Sequence, residues 1–105
     1  MNMAFQPEKE ITPAELAARM KRGESVNVLD VREPLEWAEG HIPGARHIPL
    51  GQLPERHTEL DPKEELIVVC RSGGRSSLAC ELLGERGYNV VNMIGGMLAW
   101  QDEVE

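Results

Sequence analysis

Leu66-Ile67-Val68-Val69-Cys70-Arg71-Ser72-Gly73-Gly74-Arg75-Ser76 joins the most apolar run of the chain to a glycine-rich loop, and apolar residues at helical spacing follow from Leu78 onward. A short, continuously apolar run rich in β-branched residues reads as a buried strand. The Gly73-Gly74 pair reads as a turn that curls into a helix start, and the spacing predicts a helix over Arg75–Arg86, closed by Gly87. The strand therefore delivers Cys70 to its carboxyl end, beneath a loop and a helix N-terminus. Backbone N–H groups in such a turn converge above the cysteine, and the positive end of the helix dipole adds to them. Both favour thiolate over thiol, as do Arg71 and Arg75 where their side chains fold toward the site. The same concavity suits a small oxyanion. The loop reads as an active site in which a Cys70 thiolate acts on an anionic substrate.

Upstream, Thr12-Pro13-Ala14-Glu15 carries a capping residue, a proline suited to the first helical position and the glutamate of a capping box. Leu16 and Met20 share one face of that helix, and Gly23 ends it. Val26–Val31 reads as a strand, Glu33–Glu39 as a short helix stopped by Gly40, Ala45–Leu50 as a short strand and Leu53–Leu60 as another short helix. Downstream, Val90–Met93 reads as a strand, and Gly95-Gly96 turns into a terminal helix carrying Met97, Leu98 and Trp100. Strands alternating with helices predict an α/β fold with a central parallel sheet of about five strands and helices on both faces. In such folds sites form at the carboxyl ends of strands.

The chain has 105 residues, enough for one domain, residues 1–105, with a single core. With 41% hydrophobic and 28% charged residues it has the composition of a soluble globular protein. Its net charge of −7 argues against a nucleic-acid partner and makes the local Arg71/Arg75 pair the natural address for an anion. The stretch Met1–Pro7 has no basic region followed by a long apolar run, and no segment approaches membrane-spanning length. Cys70 and Cys80 make neither a disulfide framework nor a Cys-x-x-Cys motif. These features point to a reducing cytoplasm. No leftover apolar stripe calls for a second copy, so a monomer is expected.

Three segments together resemble the single-domain rhodanese, or thiosulfate sulfurtransferase-like, family, over nearly the whole chain. They are Asp30-Val31-Arg32-Glu33-Pro34 followed by Gly40-His41-Ile42-Pro43-Gly44-Ala45 and Ile48-Pro49; the loop Cys70–Ser76; and Gly95-Gly96-Met97-Leu98-Ala99-Trp100. The resemblance implies a small rhodanese-like domain whose cysteine cycles through a persulfide. Cys70 attacks the sulfane sulfur of a donor such as thiosulfate, sulfite leaves, and the sulfur passes to a thiophilic acceptor such as cyanide. This is two-step nucleophilic catalysis. The backbone amides of Arg71, Ser72, Gly73, Gly74 and Arg75 are then expected to hold the outer sulfur, and the two arginines to attract the anionic donor. No metal or organic cofactor is implied. The expected partners are a small anionic sulfur donor and a sulfur-acceptor protein.

Two other classes stand beside this reading. Phosphatases and arsenate reductases also use a cysteine in a loop ending in arginine, but the related phosphatases have five residues between them and this chain has four. The tighter ring suits one sulfur atom better than a phosphoryl group. A non-catalytic rhodanese-like binding module is the other alternative; such modules usually lose the cysteine, which this chain keeps. Among the remaining residues, Leu78, Ala79, Leu82 and Leu83 read as the apolar stripe of the loop helix with Cys80 at its edge, in a row of small residues with Ser76 and Gly84. Cys80 therefore reads as packing and not as a redox partner. His41 reads as structural, and His47 and His57 lack the clustered partners of a metal site. Asp30 and Arg32 read as braces for the loops, Trp37 and Trp100 as core or apolar rim, and Gly95-Gly96 as a close neighbour of the active-site loop.

Overall fold

The computed structural model describes residues 9–105, so the Met1–Pro7 stretch, and the reading made of it, lies outside the described residues. Five parallel strands form one sheet: β1 (Glu10–Ile11), β2 (Val28–Asp30), β3 (Arg46–His47), β4 (Glu65–Val69) and β5 (Asn89–Met93), in the order β1-β5-β4-β2-β3. The sequence-predicted strand that ends at Cys70 is the central one. Its side chains alternate, as a strand's must. Leu66, Val68 and Cys70 enter one core with Leu29, Val31 and Leu53, while Ile67 and Val69 enter another with Ile11, Leu16 and Ile42. A strand apolar on both faces needs cover on both. Helix α1 (Pro13–Lys21) supplies Leu16 and Ala17 on one side, and α3 (Leu53–Arg56) and α4 (Gly74–Glu85) cover the other. Each large aliphatic side chain removed from water contributes about 1.5–3 kcal/mol before entropy is counted.

Helix α1 starts where the sequence places it. Thr12 Oγ1 accepts from the Glu15 N–H at 3.1 Å, and the Thr12 N–H donates to Glu15 Oε1 at 2.8 Å. The Gly23 N–H then reaches the Met20 carbonyl and the Glu24 N–H the Arg19 carbonyl, which closes the helix with a Schellman pair. Helix α2 (Pro34–Ala38) occupies most of its predicted span.

Several elements differ from the sequence reading. Strand β1 is an addition, too short to carry a periodic signal. The expected strand over Ala45–Leu50 shrinks to β3, because Pro43 and Pro49 flank it and Pro49 has no N–H to give a ladder. The expected helix over Leu53–Leu60 is α3 with a 3₁₀ turn on either side, Leu50–Gln52 and His57–Glu59. The expected terminal helix is one 3₁₀ turn, Met97–Ala99, after which Trp100 is extended. The chain beyond it is drawn back to the 40–44 turn, where His41 and Glu105 exchange both backbone hydrogen bonds. On α4 the buried residues are Ser76, Ala79, Cys80 and Leu83, whereas Leu78 is 53% exposed and Gly84 is exposed. The loop fixes the helix phase: once Ser76 faces Cys70, positions three, four and seven residues on must face inward with it.

Candidate active site

The carboxyl ends of three adjacent strands build the site. β4 presents Cys70 with its residue only 1% exposed. β2 runs out into Val31 and Arg32, then α2, on one side; β5 runs out into Gly95 and Gly96 on the other. Gly73 caps α4 from the left-handed region, at φ 111°, which a residue with a Cβ rarely adopts. That bend turns the Gly73 N–H onto Cys70 Sγ at 3.0 Å. Ser76, one turn into α4, brings its Oγ to 3.3 Å from the same sulfur.

Burial pushes the Cys70 thiol up, because it disfavours the charged form. The Ser76 hydroxyl and the backbone N–H groups of Ser76, Gly73 and Ser72 outweigh it, so the thiol lies below its ordinary range. Of the loop amides expected to converge on the cysteine, the Gly73 N–H lies at hydrogen-bonding distance from the sulfur, and the Ser76 hydroxyl stands beside it. The arginines contribute differently from expectation. Arg75 is turned onto α2, where its Nη1 and Nη2 donate to Glu36 Oε1 and Oε2 at 2.6 and 2.8 Å. This fork holds the Glu36 carboxyl down at about 2, against a smaller upward push from burial. Arg71 is exposed at the rim of the loop, and among the described residues its guanidinium makes no ion pair. Ser72 and Gly74 are exposed, and Gly73 is half-buried.

The segment after β5 locks the loop from the other side. The Met97 and Leu98 N–H groups donate to the carbonyls of Cys70 and Arg71 at 2.8 and 3.0 Å. Gly96 makes this approach possible: a Cβ there would lie 2.6 Å from the Cys70 carbonyl oxygen and closer still to that of Arg71. Behind β2, Asp30 and Arg32 form a buried pair, with Arg32 Nη2 bonded to Asp30 Oδ2 and to the Gly40 carbonyl, each at 2.8 Å. This is the bracing role read from the sequence, and it ties the strand end to the 40–44 turn. His41 and His47 stack on the two faces of Trp37, with ring centroids 3.5 and 4.6 Å away. Each histidine also donates a ring N–H to a backbone carbonyl, His41 to Trp37 and His47 to Arg32. His57 instead meets Tyr88. None of the three histidines joins a cluster of metal-capable side chains among the described residues.

A buried cysteine sulfur beside the Gly73 N–H and the Ser76 hydroxyl, in a loop that also carries the exposed Arg71, has the groups with which to attack a small electrophile. The sequence pattern of a Rhodanese-like domain matches residues 12–103. The chain belongs to this family. The protein of Bacillus subtilis (strain 168) named "Putative sulfurtransferase YtwF" is 44% identical over 97 residues, covering 92% of this chain and 94% of its own. A protein of Allochromatium vinosum named "Sulfurtransferase" is 39% identical over 92 residues, covering 87% of this chain and 86% of its own. The crystal structure of a rhodanese-like domain protein from Staphylococcus aureus superposes with a TM-score of 0.87 at 38% identity, over 92% of this chain and 96% of that one.

Two residues of this rhodanese-like site are not singled out by the sequence reading. Glu36 holds Arg75; its signal is its spacing three residues after Glu33, whose N–H it accepts at 2.9 Å. Asn92 accepts from the Ser76 hydroxyl at 2.5 Å. Its signal is a polar residue between Val91 and Met93, whose side chains enter the opposite core.

Proposed function

We propose that this rhodanese-like protein is a sulfurtransferase of the thiosulfate:cyanide type, working through a persulfide on Cys70. The Cys70 thiolate attacks the outer sulfur of thiosulfate; an S–S bond forms, the donor's S–S bond breaks, and sulfite leaves with its electron pair. The negative charge then rests on the outer sulfur, under the N–H groups of the loop. A thiophilic acceptor, cyanide in a test tube or a thiol of an acceptor protein, takes that sulfur and returns the thiolate. Arg71 supplies the cation that an anionic donor needs, while Arg75, committed to Glu36, shapes the loop. The observation that carries the reading is the buried Cys70 sulfur with the Gly73 N–H at 3.0 Å and the Ser76 Oγ at 3.3 Å, groups that favour a thiolate without a histidine base. The sulfurtransferase names of the relatives support the same chemistry. The four-residue spacing from Cys70 to Arg75 supports sulfur over phosphoryl transfer.

Incubation with thiosulfate should add the mass of one sulfur atom to the intact protein, and cyanide should remove it as thiocyanate. Cys70→Ser should abolish both, and aryl-phosphate hydrolysis should stay at background. A wild-type protein that hydrolyses the aryl phosphate through Cys70, or that gains no sulfur from any sulfane donor, would refute this function.

A further inference from the structure

We infer that Glu36 is a positioning residue that sets the charge of the donor: its carboxylate covers the Arg75 cation, so the site offers one uncovered cation, Arg71, and takes sulfane donors of low charge alongside thiosulfate. The nature of the donor rests on the sulfurtransferase reading; the charge arrangement does not. Arg75 and Glu36 meet as a two-point fork, Nη1 to Oε1 at 2.6 Å and Nη2 to Oε2 at 2.8 Å. Paired, parallel bonds of this kind are the strongest contact open to the two groups. Arg75 stands directly before Ser76, whose hydroxyl lies 3.3 Å from the Cys70 sulfur. The Arg75 guanidinium is held up first by the hydrogen bonds of Glu36, against burial, and then by the charges of Glu36, Cys70 and Glu33. Opposite charges in contact act on a third charge as a dipole, and most of their two potentials cancels. The carboxylate therefore removes most of the attraction that Arg75 exerts on an anion entering the loop.

The neighbouring charges leave this balance in place. Arg32 is tied to Asp30 in the buried pair behind β2. Glu33 is exposed at the start of α2 and adds no cation. Arg71 is exposed in the loop and, among the described residues, makes no ion pair. Thiosulfate brings two negative charges to that single cation, whereas a persulfide brings one or none. An uncovered Arg75 would favour the dianion, and Glu36 removes that advantage. The cover persists across the neutral range, because the hydrogen bonds of Arg75 hold the Glu36 carboxyl down at about 2. One elementary charge uncovered about 7 Å from a singly charged anion changes its rate of reaction about two- to fivefold at about 0.01 M salt. A dianion feels the same charge twice as strongly, so its ratio is the square, about five- to twentyfold.

The test compares alkylation of Cys70 by iodoacetate, an anion, with alkylation by neutral iodoacetamide, followed by peptide mass so that Cys80 is read separately. Both reagents react with the same thiolate, so their rate ratio reports the charge around the sulfur and not its ionisation. No sulfur donor is needed. Glu36→Gln keeps a carbonyl oxygen for the Glu33 N–H that Glu36 accepts, so α2 keeps its cap. It should raise the iodoacetate to iodoacetamide ratio about two- to fivefold at about 0.01 M salt and leave it almost unchanged at about 1 M. Arg75→Gln should lower the ratio by a similar factor, and the double variant should return it to near the wild-type value. Glu65→Gln makes the same change of net charge at the far end of β4 from Cys70, and should move the ratio by less than about 1.5-fold. Circular dichroism and melting report folding. Glu36→Gln should also speed sulfur loading from thiosulfate, relative to a neutral persulfide donor, by about five- to twentyfold at the same low salt. The inference is overturned by a folded Glu36→Gln protein whose alkylation ratio is unchanged or lower, or by a folded Arg75→Gln protein whose ratio does not fall. A double variant as high as Glu36→Gln, or a Glu65→Gln effect as large, overturns it too. A ratio that responds while no donor loads Cys70 sinks the proposed function and leaves the charge arrangement; loading that proceeds with a flat ratio does the reverse.

Discussion

Cys70 and Cys80 are chemically the same residue, and both are buried, yet their surroundings give them different work. Cys70 meets the Gly73 N–H and the Ser76 hydroxyl at the mouth of the sheet; Cys80 packs one turn further along α4 with Ala79 and Leu83. Cys80→Ala should therefore keep persulfide formation and turnover near wild-type values while lowering unfolding stability by about 1 kcal/mol, the cost of a small void. Intact mass after thiosulfate and a urea titration check the two halves separately; loss of sulfur loading in a folded Cys80→Ala protein would make Cys80 a participant. Cys70 is legible in the sequence as the candidate nucleophile because local signals converge on it: an apolar run ends, two glycines follow, and a helix begins. Asn92 and Glu36 are not legible in that way. Their partners, Ser76 and Arg75, are distant in the chain, and only the order of the strands brings them together.

Elements with strong local chemistry are the ones the sequence announces: α1 through its capping box, β4 through its continuous apolar run, α4 through its glycine start. Those defined by what they pack against are not. β3 and the Met97–Ala99 turn are short, and their bounds follow from partners elsewhere. Helix α2 lies between these cases, and its tie to α4 has a measurable signature. Glu36 is held down to about 2 chiefly by the hydrogen bonds of Arg75, well below its ordinary value of 4.5. A carboxylate lowered by folding contributes stability above its unfolded value and loses it as the pH falls toward the folded one. The full contribution is present above pH 4.5 and disappears on the way to pH 2. The side chains of Arg75 and Glu36 are 33% and 24% exposed, so solvent screening reduces it to on the order of 1–2 kcal/mol. Glu36→Gln should be less stable than wild type by that amount at neutral pH, and the gap should shrink by more than half near pH ~3. Urea titrations at the two pH values measure it; a gap independent of pH would mean that Glu36 acts through packing and not through its charge.

At the scale of the whole molecule, thiosulfate is a dianion approaching a protein of net charge −7. Setting aside the charge of Arg71, the rest of the chain carries −8. In water without salt, a dianion about 4 Å from the Arg71 guanidinium gains about 2 kcal/mol, and eight charges at a mean distance of about 15 Å cost about 4 kcal/mol. Screening treats the two unequally. At about 0.01 M salt, with a Debye length of about 30 Å, roughly 2.7 kcal/mol of repulsion survives against roughly 1.8 of attraction. At about 0.15 M, with a Debye length near 8 Å, repulsion falls to about 0.7 kcal/mol while attraction keeps about 1.2. At about 1 M, with a Debye length near 3 Å, the repulsion is gone and about 0.5 kcal/mol of attraction remains. The wild-type KM for thiosulfate should therefore fall as salt is added, reach a shallow minimum near about 0.3 M and rise only slightly by about 1 M. Arg71→Ala keeps only the repulsive part, so its KM should fall steadily with added potassium chloride and should exceed the wild-type value by about tenfold at moderate salt. A neutral persulfide donor should show neither the minimum nor the gap. Should the two proteins trace parallel KM curves, the Arg71 guanidinium does not meet the donor, and the anion owes its binding to the backbone amides of the loop.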